Sequence, residues 1–338
     1  MKSKNEYYVY IPGILGIRTN IKKFRWSYGT DAPICSETEF DKCKVKVFLN
    51  LVKDKDVFSE IDMFSIKKKF HNFSFCGENK TIIYEKQLFS LFKLKYRVTI
   101  TDDSIRMDVG ETYYKLIHYR IMNYHSVGYI LTDLIEAILL NKGLATIYCA
   151  SVELVKQKKC IALFSPPNTG KTLTSIRLCK DFGAKFISED FAVTDGIKIY
   201  GARWTSSYRA YDKENKESRQ RRTSLERYIN TKVINSSILS DIFILENGKF
   251  EVLCEKDDMF SKLLSINRYG TNYHKAPLVV ALGYYYPEYA PETLYRREKN
   301  VLFEIFKNCN FAIITSDNAF EYADIICEKV QLKENKID

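Results

Sequence analysis

The sequence lacks the residue spacings that mark a metal site or a dithiol redox site. Its nine cysteines are irregularly spaced, and no two of them form a C-x-x-C pair. Its four histidines form no H-x-x-x-H pair. These absences exclude a zinc ribbon and a thioredoxin-type centre, and they argue against a metal cage made of protein side chains alone. Several cysteines stand in apolar runs, as Cys160 does in residues 160–164, which predicts reduced thiols in a core.

The sequence also has no long hydrophobic run. No stretch reaches the roughly 18 apolar residues that a membrane-spanning helix requires. The apolar residues near the N-terminus are interrupted by Pro12, Gly13 and Gly16, unlike the core of a signal peptide. We therefore expect a cytoplasmic protein with no membrane partner. No internal repeat is visible that would indicate a solenoid.

The overall composition is that of a globular chain with a moderate positive charge. Of 338 residues, 46% are hydrophobic and 28% are charged, which permits a core of useful size. There are 52 Lys and Arg residues against 42 Asp and Glu, a net charge of +10. This charge favours an anionic partner such as a phosphorylated ligand or an acidic protein face, or it is an ordinary solvated surface. The aromatic residues are not interleaved with basic ones as in an RNA-binding sheet, so we expect no nucleic-acid partner.

The chain is predicted to contain two domains. Residues 1–95 carry short strand-like runs such as residues 7–11 and 45–49, which indicate a β-rich region and make it a candidate for selecting an acceptor. Residues 96–338 are predicted to alternate helices and strands. The predicted helices of this part lie at residues 129–142, 172–182 and 320–329, and the predicted strands include 97–100, 104–108, 145–152, 160–164, 185–188, 242–245 and 311–315.

A phosphate-binding pattern lies between the predicted strand 160–164 and the helix 172–182. It has the spacing G-x-x-x-x-G-K-[ST] with serine at the first position. Its residues are Ser165, Pro166, Pro167, Asn168, Thr169, Gly170, Lys171 and Thr172. Backbone N–H groups of such a loop wrap a polyphosphate, and Gly170 allows close approach. Lys171 would bind the outer phosphates and Thr172 would bind Mg²⁺. The alternative is that a strand, a loop and a helix carry these residues by coincidence and form no nucleotide site.

Two acidic residues follow the next predicted strand. Glu189 and Asp190 come directly after residues 185–188. If the strands before the loop and before the acids lie side by side and parallel, their ends meet at one edge of the sheet. Asp190 would then hold Mg²⁺, directly or through water, and Glu189 would accept the proton of an attacking hydroxyl. The alternative is a pair of solvated loop acids.

In the order of these elements the chain resembles the HPr kinase/phosphorylase family, which belongs to a wider group with the PEP carboxykinase fold. The matching segments are Cys149-Ala150-Ser151, the loop 165–172, Glu189-Asp190, and the hairpin 192–201 leading into residues 202–206. The resemblance covers roughly residues 96–330. It implies an α/β fold with a P-loop-containing, HPr kinase-like core after a β-rich N-terminal region. It also implies a phosphotransferase that uses ATP and Mg²⁺.

Two positions depart from the family pattern. Cys149 stands where the family has a histidine thought to tune the catalytic acid, and Glu189 stands where the first of two aspartates acts as base. A thiol cannot supply the charge of an imidazole, so these departures argue against reverse phosphorylase activity more than against kinase activity. The docking signature for HPr is also not evident, which leaves a protein, a peptide or a serine-like metabolite as acceptor.

Arginines are weaker candidates for the site. Arg268 is predicted to lie after a helix and to clamp the transferring phosphate, and Arg203 after the hairpin is a second candidate. Arg219, Arg221, Arg222 and Arg227 form a basic cluster that would attract an acidic acceptor. Ordinary surface ion pairs and a solvated loop are the alternative interpretations.

The sequence thus supports two hypotheses of different classes. The first is an ATP-dependent kinase that phosphorylates a hydroxyl, with Lys171, Glu189 and Arg268 as catalytic residues and Thr172 and Asp190 as metal ligands. The second is a non-catalytic nucleotide-binding module that docks a partner in a peptide-modification system. A PEP-carboxykinase-like enzyme is disfavoured because its metal-binding residues cannot be placed here. The acceptor, the choice among ATP, GTP and pyrophosphate, and the oligomeric state stay open.

Overall fold

The computed structural model describes most of the chain, which forms two compact units. The first unit comprises Met1–Lys142 and Tyr273–Tyr295, and the second comprises Gly143–Asn272 and Arg296–Asp338. Each unit contains a large mixed β-sheet, so the chain has a mixed α/β architecture. The described residues are 5–22, 24, 34–59, 61, 66–76, 80–88, 91–117, 124–156, 159–201, 233–248 and 255–334.

Strands and helices follow one another along the chain as in an α/β protein. The described strands are β1 (Glu6–Ile11), β2 (Leu15–Thr19), β3 (Val45–Val52), β4 (Ile66–Phe70), β5 (Phe73–Cys76), β6 (Lys80–Leu88), β7 (Phe92–Ile100), β8 (Ser104–Gly110), β9 (Ala145–Tyr148), β10 (Ala150–Leu154), β11 (Lys159–Phe164), β12 (Lys185–Ser188), β13 (Phe191–Thr194), β14 (Lys198–Gly201), β15 (Ser236–Asn247) and β16 (Asn310–Ser316). The described helices are α1 (Glu37–Asp41), α2 (Glu111–Leu116), α3 (Val127–Asn141), α4 (Lys171–Phe182), α5 (Lys256–Gly270), α6 (Pro277–Tyr285), α7 (Pro291–Asn308) and α8 (Tyr322–Glu334). None of these helices combines the length and the apolar character needed to cross a membrane.

The sheet of the first unit has eight strands in the order β1-β2-β3-β8-β7-β6-β5-β4. Neighbours are antiparallel except β2 with β3 and β3 with β8, which are parallel. Along β3, Val45, Val47 and Leu49 are fully buried and the residues between them are partly exposed. This alternation places one face of the sheet on the core.

Helix α3 is buried along almost its whole length. It begins at Val127, slightly earlier than predicted, and ends before Gly143, whose φ of +71° is the left-handed conformation expected of a glycine after a helix. Besides its apolar residues it buries Asp133 and Glu136, which are 5% and 2% exposed. The Glu136 carboxylate accepts a hydrogen bond from the N–H of Tyr273 at 3.3 Å, which offsets part of the cost of burying it.

The division between the two units differs from the predicted boundary at residue 95. That boundary falls inside β7, which pairs with β6 and with β8 on both sides of position 95. The chain instead passes to the second unit after Lys142, and Tyr273–Tyr295 belongs to the first unit. Composition could not locate this division because the pairing partners are brought together from distant parts of the sequence.

The sheet of the second unit is covered by helices on both faces. Its strands lie in the order β12-β10-β11-β15-β14-β13-β9, with β16 paired to β15. Leu163 of β11 shares a core cluster with Ile176 of α4 on one face. The next residue, Phe164, shares the other cluster with Leu263 of α5 and Leu302 of α7. Successive residues of a strand point to opposite faces, so β11 is buried on both sides and reads as a continuous apolar run.

The predicted strand 145–152 is two strands separated at Cys149. β9 pairs with β13, whereas β10 pairs with β11 and β12. The two strands therefore lie far apart in the strand order, although only Cys149 separates them in the sequence. An apolar run without glycine or proline reads as one continuous strand. The break depends on which strands flank each half, and local sequence does not specify that.

Strands β11 and β12 run in the same direction but are not adjacent. β10 lies between them and is antiparallel to both, with Ala150 opposite Leu163 and Ser151 opposite Ser188. The sequence predicted that the strands before the loop and before the acids would be parallel neighbours. The structure instead places β10 between them. The consequence for the site is the same, because two strands that are each antiparallel to a third end at one edge of the sheet.

The hairpin predicted at residues 192–201 is confirmed. β13 pairs with β14 through an Asp195-Gly196 turn, in which Gly196 has a φ of +93°. The Asp195 carboxylate accepts hydrogen bonds from the N–H groups of Ile197 and Lys198, at 3.0 and 2.7 Å. Because the aspartate closes its own turn in this way, the Asp-Gly pair favours a tight turn at this position.

Candidate functional site

The loop after β11 turns sharply onto the start of α4. Asn168 and Gly170 have φ values of +64° and +122°, both in the left-handed region. Within the loop, the Thr169 hydroxyl donates to the Pro166 carbonyl at 3.0 Å. Gly170 occupies the N-cap position and has no side chain with which to cap the helix. The first N–H groups of α4 therefore face the loop without a side-chain cap, which suits an anionic ligand.

Gly170 is tightly confined as well as conformationally unusual. A Cβ at this position would lie 2.9 Å from the Cβ of Ala319. We expect Gly170→Ala to lower the free energy of unfolding by about 1–3 kcal/mol, because strain and steric overlap act together. Urea denaturation of the purified protein measures this loss.

Gly143→Ala is the matched control for Gly170→Ala. Gly143 has a φ of +71°, and a Cβ there would meet no atom within 4 Å. This variant therefore carries the backbone strain without the overlap and should lose less stability. Equal losses in the two variants would show that the contact with Ala319 costs nothing.

Lys171 is buried at the first position of α4. The residue is 6% exposed, and its Nζ donates to the carbonyl oxygen of Ser165 at 3.3 Å. The same ammonium lies 4.0 Å from the centroid of the Tyr148 ring, a cation–π contact. Burial lowers the pKa of Lys171 below its ordinary value, while the nearby charges of Asp190 and Glu189 act in the opposite direction. The Lys171 ammonium is therefore fixed beside the loop by these two contacts and is poorly solvated.

Thr172 and Glu189 are brought into direct contact. The Thr172 hydroxyl donates to Oε1 of Glu189 at 3.1 Å, and Glu189 is 5% exposed. This contact joins the second residue of α4 to the residue that follows β12. It arises because β11 and β12 end at the same edge of the sheet.

Asp190 lies at the rim of this group. Its residue is exposed, yet the surrounding protein removes enough water from its carboxylate to raise its pKa above the ordinary value. The positive charge of Lys171 opposes that rise. Lys171, Glu189 and Asp190 thus form one electrostatic cluster, in which the lysine and Glu189 are buried and Asp190 is exposed to solvent.

Cys149 lies beneath this cluster and is fully buried. Burial raises the pKa of its thiol to about 12, although the charge of Lys171 and a hydrogen bond with Ser188 act to lower it. The thiol is therefore neutral at physiological pH and cannot provide the charge that a histidine would. Next to it, the hydroxyls of Ser151 and Ser188 lie 2.6 Å apart and tie β10 to β12.

Arg268 was predicted to lie in a loop after a helix, but the structure places it within the last turn of α5, where it is exposed. Its neighbour Asn267 is fully buried, accepts from the N–H of Tyr148 at 2.8 Å and donates to Glu298 at 2.6 Å. On the other side, the Tyr269 ring lies 6.4 Å from the ring of Tyr148. The structure thus brings together the loop, Lys171, Thr172, Glu189 and Asp190, and it places Arg268 on the helix turn that packs on Tyr148.

Tyr148 is the site residue that sequence reasoning missed. It touches Lys171 and it is held by Asn267, as described above. Gly270 permits this packing, because a Cβ there would lie 2.4 Å from the Cβ of Tyr148. The only signal in the sequence was an aromatic residue at the end of a strand directly before Cys149, which is too common to single out. Arg203 and the cluster Arg219, Arg221, Arg222 and Arg227 lie outside the described residues.

Comparison with known proteins gives little support beyond this geometry. No family model matches the chain. No curated protein matches it either. Among solved structures, the chain is similar to the HPr(Ser) kinase/phosphatase from Coxiella burnetii, with 13% sequence identity and a TM-score of 0.24. That similarity covers 32% of this chain and 69% of the other. A TM-score this low does not establish a common fold.

Proposed function

We propose that this chain is an ATP-dependent kinase that transfers the γ-phosphoryl group to a hydroxyl of a protein, a peptide or a serine-like small molecule. The observation that carries the proposal is the hydrogen bond between Thr172 and Glu189. It joins a loop of phosphate-binding sequence to a buried acid, which is the pairing that phosphoryl transfer to a hydroxyl needs. We further propose that the second unit is a P-loop core of the HPr kinase and PEP carboxykinase type.

The loop is proposed to bind the phosphates through backbone N–H groups and Lys171. Positive φ values at Asn168 and Gly170 turn the backbone, and the N-terminus of α4 contributes the positive end of its dipole. The Lys171 ammonium now donates to a single loop carbonyl and lies over a ring. Phosphate oxygens would offer it stronger, charged acceptors, so a nucleotide would gain from displacing the contact with Ser165.

The donor set near the loop fits Mg²⁺. Thr172 supplies a hydroxyl and Asp190 a carboxylate, and Mg²⁺ prefers such oxygen ligands. Within the described ranges, no group of three or more His, Cys, Asp and Glu side chains could hold a metal ion by itself. Phosphate oxygens and water would therefore complete the ligand set, as is usual for Mg²⁺ in nucleotide sites. When bound, the ion would neutralise charge on the phosphates.

Glu189 is proposed to act as general base. The acceptor oxygen would bond to the γ-phosphorus as the bond from that phosphorus to the β–γ bridging oxygen breaks, and the hydroxyl proton would pass to the Glu189 carboxylate. Glu189 is anchored through its contact with Thr172, so its position relative to the loop is defined. Arg268 is proposed to stabilise the charge of the transferring group, because it occupies the helix turn beside Tyr148.

A nucleotide-binding module without catalysis is the second candidate. The observation that favours it is the fully buried Cys149 beside Lys171: burial raises the pKa of its thiol to about 12, so it does not carry a charge at physiological pH. In that case the loop would bind nucleotide and the nucleotide state would control docking of a partner. We propose a cytoplasmic location in either case, in keeping with the free thiols of the described cysteines.

Transfer of label from γ-labelled ATP tests the proposed function. An extract of the source cell would be incubated with Mg²⁺, labelled ATP and either the purified wild type or Glu189→Ala, and protein, peptide and small-molecule fractions would be separated. A labelled species that requires Glu189 establishes a kinase and identifies the class of acceptor. Absence of such a species, with nucleotide binding retained, would instead support the module.

A further inference from the structure

The Lys171 ammonium lies near two acids but pairs with neither. The charges of Asp190 and Glu189 both act on it. Within the part of the chain that the structure describes, however, Lys171 forms no ion pair with either carboxylate. Its contacts are the carbonyl oxygen of Ser165 at 3.3 Å and the ring of Tyr148, whose centroid lies 4.0 Å away. A buried ammonium is strongly attracted by a neighbouring carboxylate, so the separation of these charges needs a structural cause.

The Tyr148 ring gives the ammonium an alternative to those carboxylates. The face of an aromatic ring attracts a cation, most strongly where water is excluded, and Lys171 is 6% exposed. The same acids also act on Tyr148. Burial, together with the charges of Asp190 and Glu189, raises the pKa of its phenol to about 12, so the ring is uncharged at neutral pH. The ring, the ammonium and the two acids therefore share one site.

The position of the Tyr148 ring is set by its own neighbours. Asn267 of α5 accepts a hydrogen bond from the Tyr148 N–H at 2.8 Å and donates one to the carbonyl oxygen of Thr146 at 3.2 Å, as a neighbouring strand would. The Phe191 ring lies 5.6 Å from the Tyr148 ring, and the absence of a side chain at Gly270 leaves room for the Tyr148 Cβ. The ring is therefore held by the fold and not by the ammonium alone.

We propose that Tyr148 is a positioning residue that holds the Lys171 ammonium apart from Glu189 and Asp190 in the nucleotide-free protein. The ammonium then meets an incoming phosphate without first having to leave a carboxylate. Glu189 likewise keeps a carboxylate that Lys171 has not neutralised, as the base of the proposed kinase needs. Without the ring, the ammonium would pair with one of the acids, and phosphate would have to break that pair. The effect on nucleotide binding rests on the proposed function, whereas the placement of the ammonium does not.

Structures of the nucleotide-free protein test the placement directly. Crystal structures of Tyr148→Phe and Tyr148→Leu would be compared with that of the wild type. Phenylalanine keeps the ring, so we expect the ammonium to stay on its face and away from the acids. Leucine keeps apolar bulk without an aromatic face, so we expect Nζ within about 4 Å of a carboxylate oxygen of Glu189 or Asp190. A Tyr148→Leu structure in which the ammonium still pairs with neither acid would overturn the proposal, whatever the catalytic activity.

Solution NMR of the wild type with ¹³C-labelled lysine provides a second measurement. The ring current of an aromatic face shifts the protons of a lysine above it upfield. The ε-methylene signal of Lys171, identified by its absence from Lys171→Met, should therefore lie upfield of the signals of exposed lysines. An ordinary chemical shift would show that the ring does not hold the ammonium in solution, and it would overturn the proposal even if Tyr148→Leu does not fold.

Calorimetric titration with ATP and Mg²⁺ tests the consequence for binding. We expect Tyr148→Leu to weaken binding about tenfold and Tyr148→Phe to bind within about twofold of the wild type. Thr271→Val is the matched control. Thr271 is 1% exposed and donates to the carbonyl oxygen of Asn267 at 3.2 Å, so this variant perturbs the same helix end but leaves the ring in place.

Two outcomes of the titration would contradict a role of the ring. They are an equal loss in Tyr148→Leu and Tyr148→Phe, and an equal loss in Tyr148→Leu and Thr271→Val. A wild type that binds no ATP would instead refute the proposed nucleotide site. In that case the crystal structures and the NMR signal would still decide whether Tyr148 places the ammonium.

Discussion

Glu189→Gln is expected to lower phosphoryl transfer by about a hundredfold to ten-thousandfold while nucleotide binding is retained. Glutamine has the same shape, and its carbonyl oxygen can still accept the hydrogen bond that the Thr172 hydroxyl now donates at 3.1 Å. It cannot take up the proton of the acceptor. The loop should therefore keep its geometry, and only the step that needs a base should fail.

The test measures the initial rate of label transfer to the identified acceptor. Nucleotide binding is measured in parallel by calorimetry. Glu153→Gln is the matched control. Glu153 is also a partly buried acid of the second unit, but it pairs with Lys185 at 3.1 Å and accepts from Ser237 at 2.7 Å. The Glu153→Gln variant should leave the rate of label transfer unchanged. Full transfer in Glu189→Gln would remove Glu189 as the base and direct attention to Asp190.

Lys171→Met is expected to weaken nucleotide binding by at least about thirtyfold. Methionine keeps most of the length and apolar surface of the side chain and removes its charge. The residue is 6% exposed and its ammonium lies next to the loop, so a bound phosphate would lose a poorly solvated cation. Calorimetric titration with ATP and Mg²⁺ measures the loss.

The stability of Lys171→Met separates this loss from unfolding. Burial lowers the pKa of Lys171, which means that the folded chain disfavours the charged form relative to water. Removing the charge should therefore leave the free energy of unfolding unchanged or raise it slightly, even though the contact with the Tyr148 ring is lost. Weak binding together with a large loss of stability would indicate a structural role and would contradict a direct contact with phosphate.

The two variants together distinguish the two functional candidates. A kinase requires both residues for transfer, whereas a nucleotide-binding module requires Lys171 for binding and has no step that depends on Glu189. Intact ATP bound for hours in the presence of Mg²⁺ and candidate acceptors would favour the module.

Much of the second unit could be predicted from the sequence because its signals are local. The apolar run before Ser165, the glycine at 170 and the amphipathic residues after it predict strand, loop and helix in that order, and the structure has β11, the loop and α4 there. The Asp195-Gly196 turn and the strand 310–316 were predictable for the same reason. Each of these features depends on residues within a few positions of one another.

Other features depended on pairing between distant segments. The chain order does not show that β10 separates β11 from β12, that Tyr273–Tyr295 joins the first unit, or that the strand breaks at Cys149. Tyr148 is positioned in the site by Asn267, which lies 119 positions away in the sequence and accepts a hydrogen bond from the Tyr148 N–H. Hydrophobic periodicity carries no information about such partners.

Short-range chemistry thus specified the elements of the candidate site, namely the loop, the lysine, the threonine and the acid pair. Their assembly into one cluster required the sheet, because Thr172 meets Glu189 only when β11 and β12 end at the same edge. The contact of the Lys171 ammonium with the Tyr148 ring likewise needs the fold, because β9 and α4 are separate elements of the chain. Local propensities act over a few residues, whereas strand order and contacts between distant segments are set by the packing of the whole unit.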